Sequence, residues 1–134
     1  MKSKISEYIA AGKILHTEGY LSHEDLYSLI QSSLIVCLPY TPNFQGSSGV
    51  LNDAVKCSTK VLTTSHGLIG HRVVKYWLGE TFEYDDIHGL KTALLRIASS
   101  NSPSDQEVMM RTKYRDEFSV NRFLDVIRKD VGNA

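Results

Sequence analysis

Apolar and polar positions along the chain switch repeatedly between a helical and an extended period. Short apolar runs predict strands at residues 13–17, 34–38, 61–63 and 81–84. Helical spacing predicts intervening helices over residues 3–11, from Ser22, from Ser47 or Ser48, through Val73 and Trp77, and over residues 87–98. This alternation predicts an α/β, Rossmann-like parallel sheet of about four strands, flanked by helices and followed by a C-terminal helical tail.

Capping residues predict where several of these helices begin and end. Gly79 stands where a C-terminal cap belongs, and Ser102 before Pro103 predicts the start of the first tail helix. Ser119 is a second predicted N-cap in the tail. The pair at 85–86, two aspartates before the helix over 87–98, is explained better by N-capping than by metal binding.

Composition fits one globular domain over residues 1–134, with equal numbers of acidic and basic residues. A net charge of zero gives no electrostatic footprint for nucleic acid. No apolar run approaches the roughly 20 residues that a transmembrane helix needs, and no signal-peptide pattern is present. We interpret Cys37 and Cys57 as free, buried thiols, and we expect a cytoplasmic protein. The five histidines lack metal-ligand spacing, so we predict no metal.

Ligands of open parallel sheets bind beyond the carboxyl ends of the strands, which selects the loops 18–21, 39–49 and 65–70. The second loop is chemically the richest. Gly46 and Gly49 would let a ligand approach the backbone, and the following helix would direct amide groups at a phosphate. A plain turn with a serine cap at Ser47 or Ser48 explains the same residues.

Several segments in this order resemble the C-terminal domain of GT-B-fold glycosyltransferases, especially the large retaining family four. They are the apolar strand ending at Pro39, the Gly-rich turn over 45–49, the Asp53-Ala54 pair, the strand over 60–64 and Gly67. Further matches are Gly19, the strand over 81–84, and Phe118 with Ser119. The resemblance covers nearly the whole chain, although no single motif in it is specific.

The resemblance implies a nucleotide-diphosphate sugar as substrate and no further cofactor. That family carries two glutamates eight positions apart, and the matching residues here are Gln45 and Asp53. Asp53 would accept hydrogen bonds from the ribose, and Gln45 would contact the donor sugar through its amide. Both residues depart from the family pattern, and no catalytic residue is assigned.

The remaining implied contacts come from two loops. The backbone of Gly46, Ser47 and Ser48 would hold the diphosphate. Gly19 and Tyr20 would lie near the base, although half-buried packing explains Tyr20 equally well. Gly49 completes the turn.

The resemblance also implies that a preceding strand–helix–strand unit and the acceptor-binding domain are absent. We therefore expect no sugar transfer by this chain alone. The absent strands belong between residues 13–17 and 34–38, so we expect an open sheet edge or exposed apolar surface. The other face of the sheet would have only the first helix and the tail helices for cover. The implied partner is a second copy of the chain or the missing N-terminal domain.

Two other functions remain open at this point. One is a non-catalytic nucleotide-binding or assembly module with the same fold, which the change at Gln45 favours. The other is a fragment of a nucleotide-sugar epimerase, since those enzymes share the GT-B architecture.

Overall fold

The structure is a computed structural model that describes residues 4–100 and 102–132. The elements within these ranges follow in chain order: α1 (Lys4–Ala10), α2 (His23–Ser32), β1 (Ile35–Leu38), α3 (Gly49–Lys56), β2 (Lys60–Thr64), α4 (Gly67–Lys75), β3 (Gly79–Phe82), α5 (Ile87–Ser99), α6 (Asp105–Glu117) and α7 (Val120–Gly132). The predicted α/β class and the helical tail are confirmed.

Across the described residues, the sheet has three parallel strands in the order β1-β2-β3. The prediction of about four strands was therefore one too high. Residues 13–17 form no strand, and Leu15 among them is 89% exposed. An extended segment is held as a strand only by a ladder of hydrogen bonds to a neighbour, and this segment pairs with neither edge of the sheet.

The larger core lies between one face of the sheet and the helices α2, α3, α4 and α6. Strands contribute Leu38 and Val61, and helices contribute Leu51, Val55 and Val73. Removing these apolar surfaces from water is the main favourable term in folding. This core fixes the position of α3, and the predicted ligand loop ends at the first residue of that helix.

A smaller core lies on the opposite face, where α5 covers the sheet. Leu62 and Phe82 from the strands pack there with Ala93 and Ile97 of α5. We expected α1 and the tail helices to provide this cover, and that expectation was wrong. No residue of α1 or α7 is buried among those described, whereas α6 packs against α3 on the first face.

Cys37 also differs from the prediction, because its side chain is exposed rather than buried. It shares the α5 face of β1 with Ile35, since alternate residues of a strand point the same way. Only Ile35 of the two packs against the smaller core. Cys57 is a free, half-buried thiol.

Gly79 is the first residue of β3 and not a helix cap as predicted. Helix α4 ends at Lys75, Tyr76 caps it, and Trp77 makes the left-handed turn with a φ of 54°. A Cβ atom at Gly79 would lie 1.8 Å from the carbonyl oxygen of Val61 on β2. The glycine is therefore needed for close strand contact.

The N-cap of α6 is Ser104, and the prediction of Ser102 was wrong. Ser104 Oγ accepts the Glu107 amide at 3.2 Å, and Glu107 Oε2 accepts the Ser104 amide at 2.7 Å. This reciprocal capping box satisfies two amides at once, and its N3 residue is a glutamate, whereas the residue three positions after Ser102 is Asp105.

Four other predicted caps are confirmed by their hydrogen bonds. The side chains of Ser22, Ser48, Asp86 and Ser119 each accept an amide from the first turn of the helix that follows. Asp86 therefore has the capping role that its sequence position predicts. Among residues 4–100 and 102–132, no helix combines the length and apolar character that crossing a bilayer requires.

Candidate ligand site at the start of α3

The loop between β1 and α3 is anchored to β2 by two buried threonines. Thr63 Oγ1 donates to the carbonyl oxygen of Leu38 at 2.8 Å, and Thr64 Oγ1 donates to that of Tyr40 at 2.8 Å. Both threonines are about 1% exposed. These bonds fix the direction in which the chain leaves β1 at the carboxyl end of the sheet.

An aromatic pair fills the inside of this loop. The rings of Tyr40 and Phe44 stack with centroids 4.2 Å apart, and the Phe44 amide donates to the carbonyl oxygen of Thr41 at 2.9 Å. The hydroxyl of Tyr40 lies 3.0 Å from Ser48 Oγ. The loop is therefore held by its own side chains before any ligand is considered.

The two glycines of the loop have different surroundings. A Cβ atom at Gly46 would meet the Phe44 ring at 3.2 Å, so the protein itself occupies that approach. A Cβ atom at Gly49 would meet nothing within 4 Å. Close approach of a ligand to the backbone is thus possible at Gly49, whereas the sequence pointed to both positions.

Helix α3 begins with Ser48 as its buried N-cap. Ser48 Oγ accepts the amide of Leu51 at 3.2 Å, and Gly49 is the first helical residue. The first amides of a helix have no partner within the helix and carry a partial positive charge. Ser47 beside them is exposed. An anion can therefore be accommodated at the exposed Gly49 end of α3.

Asp53 lies one turn after Gly49 on the same face of α3, and only 7% of it is exposed. Its Oδ1 is 3.6 Å from Lys56 Nζ, and its Oδ2 is 4.0 Å from His23 Nδ1. The carboxylate thus faces the first turn of α2. Lys56 and His23 are themselves largely exposed, with side chains 61% and 76% exposed.

Tyr27 and Cys57 stand next to this carboxylate. A hydrogen bond with the Cys57 thiol raises the pKa of Tyr27, and the charge of Asp53 adds to the effect. The rings of His23 and Tyr27 are 6.3 Å apart. These neighbours hold the Tyr27 hydroxyl further from ionisation than an ordinary tyrosine, whose pKa is about 10.

Sequence reasoning missed His23, Tyr27 and Lys56 as neighbours of Asp53. A signal for His23 was present, because it begins α2 only two residues after the predicted 18–21 loop. The packing of α2 on α3, which brings the start of α2 to Asp53 in the second turn of α3, has no counterpart in the local pattern.

The structure gives no hydrogen bond or ion pair between Asp53 and the other predicted ligand residues, Gln45, Gly19 and Tyr20. Gln45 is exposed, and its Nε2 donates to the carbonyl oxygen of Pro42 at 3.4 Å. Gly19 and Tyr20 lie in the irregular segment before α2, and Tyr20 is fully exposed. The alternative of half-buried packing for Tyr20 is therefore wrong. That segment leads directly into His23, which faces Asp53.

The third predicted loop has a separate cavity of about 380 Å³ at the ends of β2 and β3. Ser65 Oγ donates to Glu83 Oε1 at 2.8 Å there, and His66 Nε2 lies 3.5 Å from Thr64 Oγ1. Within the described part of the chain, no group of three or more His, Cys, Asp or Glu residues is placed to hold a metal ion.

Comparisons with protein-family models, with curated proteins and with solved structures found no match to this chain.

Proposed function

We propose that the chain binds a nucleotide-diphosphate sugar and is the donor-binding domain of a glycosyltransferase. One observation carries this proposal: the open backbone of Gly49 lies one helical turn above the buried carboxylate of Asp53. Both belong to the helix that follows β1, beyond the carboxyl end of a parallel sheet, where ligands of such sheets bind.

The chemistry of a nucleotide diphosphate suits these groups. The amides at the start of α3 and the exposed hydroxyl of Ser47 are donors for the diphosphate. Asp53 is an acceptor for ribose hydroxyls, and burial strengthens a hydrogen bond to a carboxylate. The exposed segment with Gly19 and Tyr20 leads into His23, which faces Asp53, and we propose that the Tyr20 ring stacks on the base.

The engagement of Gln45 with its own loop favours a second function, a nucleotide-binding or assembly module without catalysis. Its amide donates to Pro42, and a neutral amide supplies no charge to a reacting sugar. A nucleotide-sugar epimerase fragment predicts the same nucleotide binding. If the chain binds no nucleotide, an assembly module without catalysis is the remaining function.

Gly49→Leu tests the proposed contact at the backbone. We expect the wild-type chain to bind UDP, GDP or ADP in calorimetric titration, and we expect Gly49→Leu to weaken that binding at least about tenfold. The new side chain has room within the protein but would occupy the space of the diphosphate. Leucine also has a better helix propensity than glycine, so folding should be unimpaired or improved by about 0.5–1 kcal/mol.

Gly132→Leu is the matched control. Gly132 is the last residue of α7, as Gly49 is the first of α3, and a Cβ atom at either position would meet nothing within 4 Å. This variant should bind nucleotide like the wild type. Equal affinities of Gly49→Leu and the wild type would contradict a diphosphate at the start of α3.

We also propose that the chain associates with a partner, either a second copy or a further domain, through α7. This helix has an apolar stripe whose residues are all exposed: Val120, Phe123, Leu124, Ile127 and Val131. Residues at these spacings share one helical face. An apolar stripe of this extent is typical of an interaction surface.

Sedimentation velocity checks the self-association. We expect the average mass to rise with protein concentration, and we expect Phe123→Glu to abolish the rise by placing a charge in the stripe. Asn121→Glu introduces the same charge beside the stripe on an exposed residue of α7 and should leave association intact. A monomer at every concentration would argue against a second copy as the partner.

A further inference from the structure

Arg111 on α6 is a buried cation whose Nε lacks a hydrogen-bond partner. The residue is 6% exposed, and its Nε is the one fully buried side-chain nitrogen or oxygen without a partner among the described residues. Burial lowers the pKa of Arg111, as expected for a cation taken out of water. Such a group destabilises a fold unless an anion compensates its charge.

A small cavity adjoins this side chain, between α6 and the turn that follows α3. Its volume is about 80 Å³, and its wall includes Ser58, Arg111, Thr112 and Arg115. Such a volume holds roughly two or three water molecules. It suits a tetrahedral oxyanion and is too small for a nucleoside.

The second arginine of the cavity is held in place by the end of α3. Arg115 Nη2 donates to the carbonyl oxygen of Val55 at 2.7 Å and to Ser58 Oγ at 2.9 Å. Ser58 has a φ of 59°, a left-handed conformation that is uncommon for a residue with a Cβ atom. The guanidinium and hydroxyl groups are thus positioned before any anion binds.

The nearest acidic side chain does not neutralise this pair. Glu107 attracts Arg111, but its Oε2 accepts the Ser104 amide at 2.7 Å and its Oε1 lies 3.9 Å from Lys60 Nζ. Glu107 is thus shared between Lys60 and Arg111, and the described residues of the cavity wall include two cations, Arg111 and Arg115, and no acidic residue. The cavity wall retains an excess of positive charge.

We propose that this cavity is a binding site for inorganic phosphate, with Arg111 as its main ligand and Arg115 as its second. Guanidinium groups present the donor geometry that phosphate oxygens accept. The site is independent of the proposed nucleotide site, since Ser58 follows the last turn of α3 whereas Gly49 begins the first.

Arg111→Met tests the site, because methionine keeps much of the apolar stem and removes the charge. Phosphate at about 10 mM, compared with chloride at equal ionic strength, should raise the Tm of the wild type by roughly 2–6 °C. The variant should lose this shift, yet without phosphate it should melt no lower than the wild type. Lys113→Met removes an exposed cation from the same helix and should keep the shift.

The Nε–H resonance of Arg111 in nitrogen-15 NMR reports binding directly, and phosphate should shift it and slow its exchange with water. Glycerol 3-phosphate distinguishes free phosphate from a phosphoryl group on a larger molecule. If it raises the Tm of the wild type but not of Arg111→Met, the cavity accepts such a phosphoryl group. If only inorganic phosphate raises the Tm, the cavity takes the free anion. No Tm shift in the wild type, or the same shift in all three proteins, would overturn the proposal. So would an unchanged Nε–H resonance.

Discussion

Gly79→Ala is expected to lower the free energy of unfolding by about 3–5 kcal/mol, a large part of the roughly 5–15 kcal/mol typical of a domain. The added Cβ atom would stand 1.8 Å from the carbonyl oxygen of Val61 and 2.7 Å from its amide nitrogen. Both are backbone atoms of the central strand, so no rotamer change can relieve the overlap. Strands β2 and β3 would have to separate where Val61 and Gly79 pair.

Urea unfolding followed by circular dichroism measures this loss. Gly132→Ala is the control, because a Cβ atom there meets nothing and alanine has the higher helix propensity. We expect the control to be as stable as the wild type or slightly more so. If Gly79→Ala itself fails to fold, its loss of near-ultraviolet signal gives the same answer. A variant within about 1 kcal/mol of the wild type would show that the strands do not approach so closely.

Asp53→Ala is expected to weaken nucleotide binding by about 1–3 kcal/mol, or roughly 5–150-fold, because a charged hydrogen-bond acceptor is lost. The effect on folding should be small. Its ion contacts are long, at 3.6 and 4.0 Å, and the partners Lys56 and His23 are exposed. They remain solvated when the carboxylate is removed, so no buried charge is left unpaired.

Calorimetric titration and thermal unfolding, measured on the same preparation, separate these two effects. Asp116→Ala changes the net charge equally at an exposed position of α6 and should alter neither measurement. A loss of binding that accompanies a stability loss above about 2 kcal/mol would indicate that Asp53 supports the fold and not the ligand.

The ligand loop illustrates what could be predicted before the tertiary structure and what could not. The glycines, the serine cap and the acidic residue at 53 identify a helix start suited to an anion. The stacking of Phe44 on Tyr40, which fills the approach to Gly46, depends on how the loop closes over the sheet. The neighbours of Asp53 on α2 likewise depend on packing between helices that are separated by a strand.

Residues 13–17 and Gly79 show why strands were harder to predict than helices. Ile14 and Leu15 give the first segment an apolar character, but no partner strand adjoins it, and Leu15 stays in solvent. Gly79 is the residue type that commonly ends a helix, but here the absence of a side chain allows β3 to lie close to β2. Both outcomes depend on residues far away in the chain.

The α/β class, the helical tail and the helix starts at Ser22, Asp86 and Ser119 follow from local sequence, which also limits the start of α3 to Ser47 or Ser48. Each of those features is decided within about four residues, where a side chain can reach a backbone amide or repeat an apolar stripe. Tertiary packing sets the number of strands, the open space at Gly49, the burial of Asp53 and the lack of a partner at Arg111 Nε. These depend on long-range packing, because burial and strand pairing are properties of neighbours that the chain brings together only on folding.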